Sequence, residues 1–473
     1  MLFSSAIFLF GYLPLTLAIH AITPRKWRNI PLFLLSLFFY GWGEPVYIGV
    51  MMLSVTVAYL TGFPIGRYRE SDPARARRWL ILSVTLNLAV LVFFKYTGFI
   101  TQNLSLIPVL DRVLPSISVP KLPIGISFYT FQIISYSVDL YRGDTETQRS
   151  YIAFGTYVAL FPQLIAGPIV RYRDVNHQLE HRTVTVEKFA SGVRRFVIGL
   201  GKKLLLGDTL AAVYTYASTA MRLDPTVLGA WLAVVAFTLH IYFDFSGYSD
   251  MAIGLGRMLG FEFCENFNYP YLASSVTDFW RRWHISLSSW FREYVYIPLG
   301  GNRHGKARQY LNLAAVWLLT GLWHGAAWSF VLWGLFFLVL LVLEKAWLLR
   351  VLRQNRVTRI LGHVWTLLLV GIGWMIFDHT DLSEAARVVG ALFGVGTTGV
   401  TSPTMTYECL HLLPTLAVAC LAATPYPARL YRRLCDRFPV VRVTEPILTL
   451  CTLVLSVAAM VAGSFSPFLY FNF

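Results

Sequence analysis

His324 is the only acid, base or histidine between Arg308 and Glu344. It stands in Gly321-Leu-Trp-His-Gly325, with Trp323 before it and Trp328 four residues later. Hydrocarbon penalises an ionisable side chain, so one retained inside an apolar run marks a reaction site or a satisfied hydrogen bond between helices. A neutral imidazole at that depth would be available as a general base. His284 lies in a different setting, Asp278-Phe-Trp-Arg-Arg-Trp-His-Ile-Ser-Leu-Ser-Ser-Trp-Phe-Arg-Glu-Tyr. That segment is aromatic, basic and amphipathic, as an interfacial helix is. Its arginines suit lipid headgroups or a phosphorylated substrate equally well. Forty residues separate the two histidines, so only a hairpin can bring them together.

His240 and Asp244 are four residues apart, one helical turn, and can face each other. A metal site needs further ligands; no HExxH pattern occurs, and no metal is expected. Gly247, Gly254 and Gly256 follow no strand and precede no GK[ST], so they read as helix-packing positions rather than a phosphate loop. No GxSxG nucleophile elbow is present. Cys264, Cys409, Cys420, Cys435 and Cys451 are odd in number and scattered, which suits small apolar fillers better than disulfides or zinc.

The elements that must hold these residues are set by composition. Of 473 residues, 56% are hydrophobic and 14% charged, and mean hydropathy is +0.56. So few charges cannot coat a soluble surface of this size, and so much apolar residue excludes disorder. The fold class is all-α: a polytopic membrane protein of about 10–13 transmembrane helices plus re-entrant pieces. Apolar runs of spanning or near-spanning length fall near 3–22, 46–62, 79–94, 122–138, 204–219, 227–243, 311–343, 360–377, 408–424 and 447–465. Those near 31–42, 151–168 and 388–400 are too short to cross alone. Residues 1–21 lack a basic leader, and Arg25, Lys26 and Arg28 follow them, as expected of a first transmembrane helix rather than a cleaved signal. One membrane domain, 1–473, is expected, with peripheral helices to about 100, a core over about 120–345 and C-terminal helices over about 360–465.

The net charge of +15 then has to reside in loops. Residues 171–203 carry eight basic residues against three acids, and 281–308 carry six against Glu293 alone. With 23–30, 63–79, 345–359 and 429–442, these loops should be cytoplasmic; those near 101–121, 220–226 and 378–387 are balanced and should lie outside. Two parity conflicts result. Residues 151–168 and 311–343 are each flanked on both sides by cytoplasmic charge. A break at Phe161-Pro162-Gln163 and Gly167-Pro168 resolves the first, and a helix broken at Gly321–Gly325 resolves the second. Irregular backbone at membrane depth survives only against protein or a water-filled cavity, so a polar cavity open to the cytoplasm is expected.

Four motifs in this order resemble the membrane-bound O-acyltransferase superfamily: Pro123-Ile-Gly-Ile-Ser-Phe-Tyr-Thr-Phe-Gln132, Phe243-Asp-Phe-Ser-Gly-Tyr-Ser-Asp250, Phe279-Trp-Arg-Arg-Trp-His284 and Gly321-Leu-Trp-His324-Gly-Ala-Ala-Trp328. The resemblance covers nearly the whole chain and is nearest to the bacterial branch that acetylates alginate. It implies a ring of helices around a tunnel. His324 falls on the family's catalytic histidine, and His284 on a second position that is Asn or His. It implies acetyl-CoA as the donor substrate, with no bound cofactor. The acceptor hydroxyl would be supplied by a periplasmic SGNH-hydrolase-like partner, with the enzyme seated in the lipid of the bacterial inner membrane. Trp323, Trp328 and Trp283, with His240 and Asp244, would line the tunnel, and Arg281, Arg282, Arg292 and Arg303 would hold donor phosphates. No nucleic-acid partner is expected. The final acceptor stays open among alginate, peptidoglycan, cellulose and D-alanylated teichoic acid, as does an acyl-enzyme route. Outside this class stand a proton-coupled anion exporter, which predicts inverted repeats and charged pairs that the sequence lacks, and a passive scaffold, which has no use for His324.

Overall fold

The computed structural model describes residues 1–107, 118–463 and 468. The expected outer loop near 101–121 and the end of the last apolar run therefore lie partly outside the described residues. Every regular element described is a helix, apart from one isolated bridge between Thr226 and Gly399. Among the described residues six helices are long and apolar enough to cross a membrane: Ile48–Tyr68, Pro73–Leu104, Val227–Met258, Arg356–Asp378, Pro403–Ala422 and Pro439–Ala462. The all-α, multi-pass membrane reading holds. The other apolar runs form shorter helices, such as Asn29–Gly41, Ile126–Arg142 and Asp208–Leu223. Their boundaries follow local chemistry. Asp72 accepts from Arg75 N ahead of Pro73, and Asn355 with Thr358 forms a capping box; each satisfies amide donors that a helix start leaves open.

The chain divides into two compact units. The first comprises Met1–Phe196 and Ser249–Cys264. Phe3, Phe8, Phe39 and Phe161 pack there as tilted and edge-on rings. Its inserted stretch is fixed by the Arg195–Asp250 ion pair at 2.6 Å and by Gly254, whose missing Cβ would lie 2.6 Å from Gly192 O. That contact bears out the packing role expected of these glycines. The 151–168 run is broken as expected: Tyr151–Ala159 stops at Leu160, and a single turn, Phe161–Leu164, restarts with Pro162 in its first turn. Pro removes the amide that a continuous helix would use.

The second unit comprises Val197–Tyr248 and Glu265–Phe473. Its apolar core includes Phe279, Trp280, Trp283, Trp317, Trp333, Phe337, Trp374 and Phe377, all buried. Trp280 meets Trp317, Trp333 and Phe337 edge to face, at centroid distances of 4.8–5.5 Å, the arrangement that ring quadrupoles favour. At the other extreme, only 6% of the apolar window in Pro439–Ala462 is buried in protein, so lipid must cover the rest.

The 311–343 run forms two helices, Gly305–His324 and Trp328–Leu343. The break is three residues, Gly325–Ala327, and begins at the last residue of the expected Gly321–Gly325. Gly321 remains helical because its role is close packing. A Cβ there would sit 2.4 Å from Phe330 O, and one on Gly334 would sit 2.5 Å from Trp317 O. Two glycines thus let the arms of the hairpin touch through their backbones, the small-residue packing available to helices in lipid.

Candidate active site

The hairpin break leaves His324 as the last residue of its helix. Its imidazole is buried, with the rings of Trp333 at 5.0 Å and Phe377 at 5.2 Å edge-on to it. Trp323 stands beside it at 5.0 Å and meets His284 on its other side at 6.0 Å. The two histidines that sequence singled out are therefore brought together across one indole, by a contact between segments forty residues apart.

His284 is held differently. Helix Val276–Arg282 starts at Ser275, whose hydroxyl accepts from Asp278 N at 3.0 Å. The carboxylate of Glu344 accepts from Val276 N at 2.6 Å and Thr277 N at 2.8 Å. Anions are favoured at that end of a helix. After Trp283 the chain turns through His284 in the left-handed region, φ 45°. Only Tyr269 shares that conformation among described non-glycine residues, and it costs on the order of 1–3 kcal/mol. Asn266 holds the turn. Its backbone oxygen accepts from Ile285 N at 3.0 Å. Its Oδ1 accepts from Ser286 N at 3.2 Å, Ser286 Oγ at 2.9 Å and His284 Nδ1 at 3.1 Å. An amide oxygen can only accept, so His284 carries its proton on Nδ1 and Nε2 is the basic nitrogen. Burial pulls this imidazole down to about 3, so it stays neutral at physiological pH.

His284 borders a cavity of about 600 Å³. Trp280, Leu313, Val316 and Trp317 give it apolar walls; Thr277, Ser288 and Thr320 give it hydroxyls; Arg281, Arg292 and Lys345 give it positive charge. Arg292, Tyr296 and Lys345 also border a second cavity of about 360 Å³, which Arg303 joins. Both cationic edges include wide π-helical turns, Arg292–Tyr296 and Glu344–Leu348, a distortion that recurs at functional sites. Burial, then the charge of Arg281, lowers the Lys345 ammonium from its ordinary value, so an anion between them would be welcome. An apolar slot ending in guanidinium and ammonium groups suits a phosphate-bearing thioester.

Several expected site residues stand elsewhere. Arg282 is spent on Asp278, one turn back at 3.0 Å, and borders neither cavity. Trp328, expected to line the tunnel, begins the second arm of the hairpin and is 59% exposed, whereas Trp333, further along that arm, is buried beside His324. Trp283 is buried against Phe279 and Trp374 and supports the site from behind. His240 Nδ1 meets Gly207 O at 2.9 Å, while Asp244 reaches Lys203 at 2.8 Å and Lys203 also reaches Asp208 at 2.6 Å. The i, i+4 pair thus serves the wide turn Lys202–Gly207 and not the 600 Å³ cavity. Sequence reading missed Asn266, which shares its loop with Asn268 and has no pattern to betray it, and Lys345, which it counted only as a topology charge. Glu344 left more of a signal, since a carboxylate ending a long uncharged run needs a partner.

A family model for membrane-bound O-acyltransferases matches residues 123–376, a span that includes His284, His324 and all three cationic edge residues. A probable alginate O-acetylase AlgI of Azotobacter vinelandii is 46% identical over 397 residues, covering 84% of this chain and 79% of that protein. The protein of that name from Pseudomonas putida is 40% identical over 491 aligned positions, covering both chains completely. A peptidoglycan O-acetyltransferase of Helicobacter pylori is 33% identical over 435, covering 84% of this chain and 80% of that one. With the multi-pass helical fold and two histidines joined through Trp323, these likenesses have one meaning: the chain belongs to the membrane-bound O-acyltransferase family and is an acyltransferase.

Proposed function

We propose that this enzyme takes an acetyl group from acetyl-CoA on the cytoplasmic side of the bacterial inner membrane and passes it to a hydroxyl on the outer side. The group is destined for O-acetylation of an extracytoplasmic polysaccharide, with alginate ahead of peptidoglycan. The supporting observation is the cavity itself: cationic at Arg281, Arg292 and Lys345, apolar within, and bordered by His284, which reaches His324 through Trp323. The cationic residues belong to loops that the charge rule assigns to the cytoplasm. The names of the relatives, alginate O-acetylases at 46% and 40% identity against a peptidoglycan enzyme at 33%, favour alginate.

In this reading the donor phosphates rest on Arg281, Arg292 and Lys345, and the thioester lies toward Trp323. His324 takes the proton of the acceptor hydroxyl as its oxygen attacks the thioester carbon. The carbon–oxygen bond forms, the carbon–sulfur bond breaks, and the proton passes from His324 to the departing thiolate. His284 orients the carbonyl or the donor. Trp333 and Phe377 close the surroundings of His324 against water, which would otherwise hydrolyse the thioester. The acceptor is a serine of a periplasmic SGNH-hydrolase-like partner, which completes transfer to the polymer. The test uses purified protein in detergent with radiolabelled acetyl-CoA and the partner. Label should move to the partner with wild type and not with His324→Ala. Full transfer by His324→Ala overturns the assignment of the base, and failure of wild type to bind acetyl-CoA overturns the donor.

A further inference from the structure

A separate cavity of about 470 Å³ lies in the second unit among the helices Val227–Met258, Arg356–Asp378 and Pro403–Ala422. It shares no residue with either cationic cavity described above, and the mechanism makes no use of it. Val234, Val235, Leu239, Val364, Leu367 and Leu368 give it apolar walls. Three of its polar side chains are spent on protein carbonyls. The Tyr271 hydroxyl donates to Thr238 O at 2.5 Å, His363 Nδ1 to Ala273 O at 3.0 Å and Thr424 Oγ1 to Leu421 O at 2.7 Å. A polar solute would lose its water there for few bonds in return. Val364 and Leu367 are exposed on a chain that lipid surrounds, so the cavity opens sideways into hydrocarbon.

Its depth and its charge say what fills it. A Cβ on Gly371 would lie 2.9 Å from Val234, so these two positions are level. His363 stands eight residues before Gly371, about 12 Å away at about 1.5 Å per residue. Trp231 stands three residues before Val234 on the oppositely directed helix, about 4.5 Å further in the other sense. The slot is thus roughly 17 Å deep, close to one leaflet of a hydrocarbon core about 30 Å thick. His363 marks its cytoplasmic end, since the basic loop 345–359 leads into that helix. Arg356 and Arg359, seven and four residues before His363, carry its helix face on toward the cytoplasm. Both are exposed, and among the described residues no carboxylate pairs with either. Thr424, at the other lip, leads into the helix Tyr426–Arg437 with exposed Arg429, Arg432 and Arg433. Guanidinium groups hold a phosphodiester well, and a zwitterionic headgroup would bring its own ammonium against them.

We infer that this cavity is a site for one anionic phospholipid of the cytoplasmic leaflet, with an acyl chain in the slot and the phosphate on Arg356 and Arg359. The site is independent of the acyl donor and acceptor. The test uses the full-length protein in phosphatidylcholine nanodiscs that contain a small share of photoactivatable lipid. That lipid is either phosphatidylglycerol or phosphatidylcholine, with the same diazirine-bearing chain, and labelled peptides are mapped by mass spectrometry. Leu448 and Leu450, lipid-facing on the last helix and next to a basic segment of their own, report ordinary attraction of anionic lipid to the protein. Label at Val364 and Leu367 should come about tenfold more from phosphatidylglycerol than from phosphatidylcholine, a ratio that two arginines at a membrane surface can supply. The ratio at Leu448 and Leu450 should stay within about twofold of one. Arg356→Gln with Arg359→Gln should bring the cavity ratio down to that of the last helix and leave phosphatidylcholine labelling of the cavity unchanged. If that labelling is lost too, Arg356→Lys with Arg359→Lys, which keeps both charges, decides: it should retain the excess. A cavity ratio no higher than that of the last helix, an excess that survives the Gln pair, or an excess lost in the Lys pair overturns the inference.

Discussion

Asn266→Ala is the sharpest perturbation of this site, because it removes one oxygen and keeps the chain's path. Three donors lose their acceptor: Ser286 N, Ser286 Oγ and His284 Nδ1, at 3.2, 2.9 and 3.1 Å. The bond from Ile285 N to the Asn266 backbone oxygen survives, so the loop keeps its anchor. At about 1–3 kcal/mol for each buried donor left without an acceptor, stability should fall by at least about 3 kcal/mol. The loss to catalysis is separable. His284 is free to leave its tautomer and its orientation, and leaving one buried donor without an acceptor costs about 1–3 kcal/mol. Taken from the transition state, that is about 5- to 150-fold in kcat. The assay is transfer from labelled acetyl-CoA, with thermal unfolding of the same preparation to show how much protein is folded. Asn266→Asp supplies the control. It keeps all three acceptor bonds, yet places a carboxylate beside the imidazole and raises His284 from about 3. Activity of that variant should fall as pH drops through the raised value, an acid limb added to the one the base His324 gives, whereas in wild type His284, already neutral, adds none. Folded Asn266→Ala with kcat within twofold of wild type would refute the view that His284 needs orienting.

Three further outcomes are expected. Replacing Arg281, Arg292 or Lys345 with Gln should raise KM for acetyl-CoA by about fivefold to tenfold each and flatten its salt dependence, with little change in kcat; Arg282→Gln, already paired with Asp278, should do neither. Because the Lys345 ammonium is lowered, donor KM should climb with rising pH before an ordinary lysine titrates, and Lys345→Arg should remove that climb. Gly321→Ala should prevent stable folding, since its Cβ meets the Phe330 carbonyl at 2.4 Å, a backbone clash that no rotamer relieves. Protein that accumulates normally with wild-type thermal stability would contradict that packing.

What sequence could read here was whatever leaves a pattern along the chain. The broken helix at 311–343 was legible because basic flanks at Arg308 and Lys345 demand an even number of crossings and thirty-three uncharged-or-histidine residues cannot make two. His324 was legible because it is alone there. The exact break was not, because Gly321 looks like a helix breaker and acts as a backbone contact against a helix that only folding brings near. Arg282 and Arg281 are adjacent and chemically identical; only the position of Asp278 one turn earlier separates the spent arginine from the cavity's. Likewise Trp328 and Trp333 both belong to the second arm, and the turn of the helix decides which is buried: Trp333 is, against His324, and Trp328 is not. Asn266 was invisible, for its three bonds reach residues eighteen and twenty positions away.

The two histidines are built on opposite principles, and that difference argues for different duties. His284 is over-determined: a left-handed backbone angle, a bonded Nδ1 and two following amides that both bond to Asn266, one at its backbone oxygen and one at Oδ1. A residue kept in a costly conformation by so many bonds is suited to hold a fixed direction, which is what orienting a carbonyl or a donor requires. His324 instead ends a helix against the faces and edges of Trp323, Trp333 and Phe377. These rings wall its imidazole, and aromatic walls neither compete for a proton nor admit water. That is the better setting for a group that must gain and lose a proton within each turnover. Replacing each by Asn separates the two. Asn keeps a hydrogen-bonding amide at 284 and should leave His284→Asn within about tenfold of wild type, because orientation needs only a polar partner. At 324 an amide cannot accept the proton, and His324→Asn should fall by at least about 100-fold, the lower bound for losing a general base. The reverse order of effects would transfer the proton to His284 and leave His324 as the support.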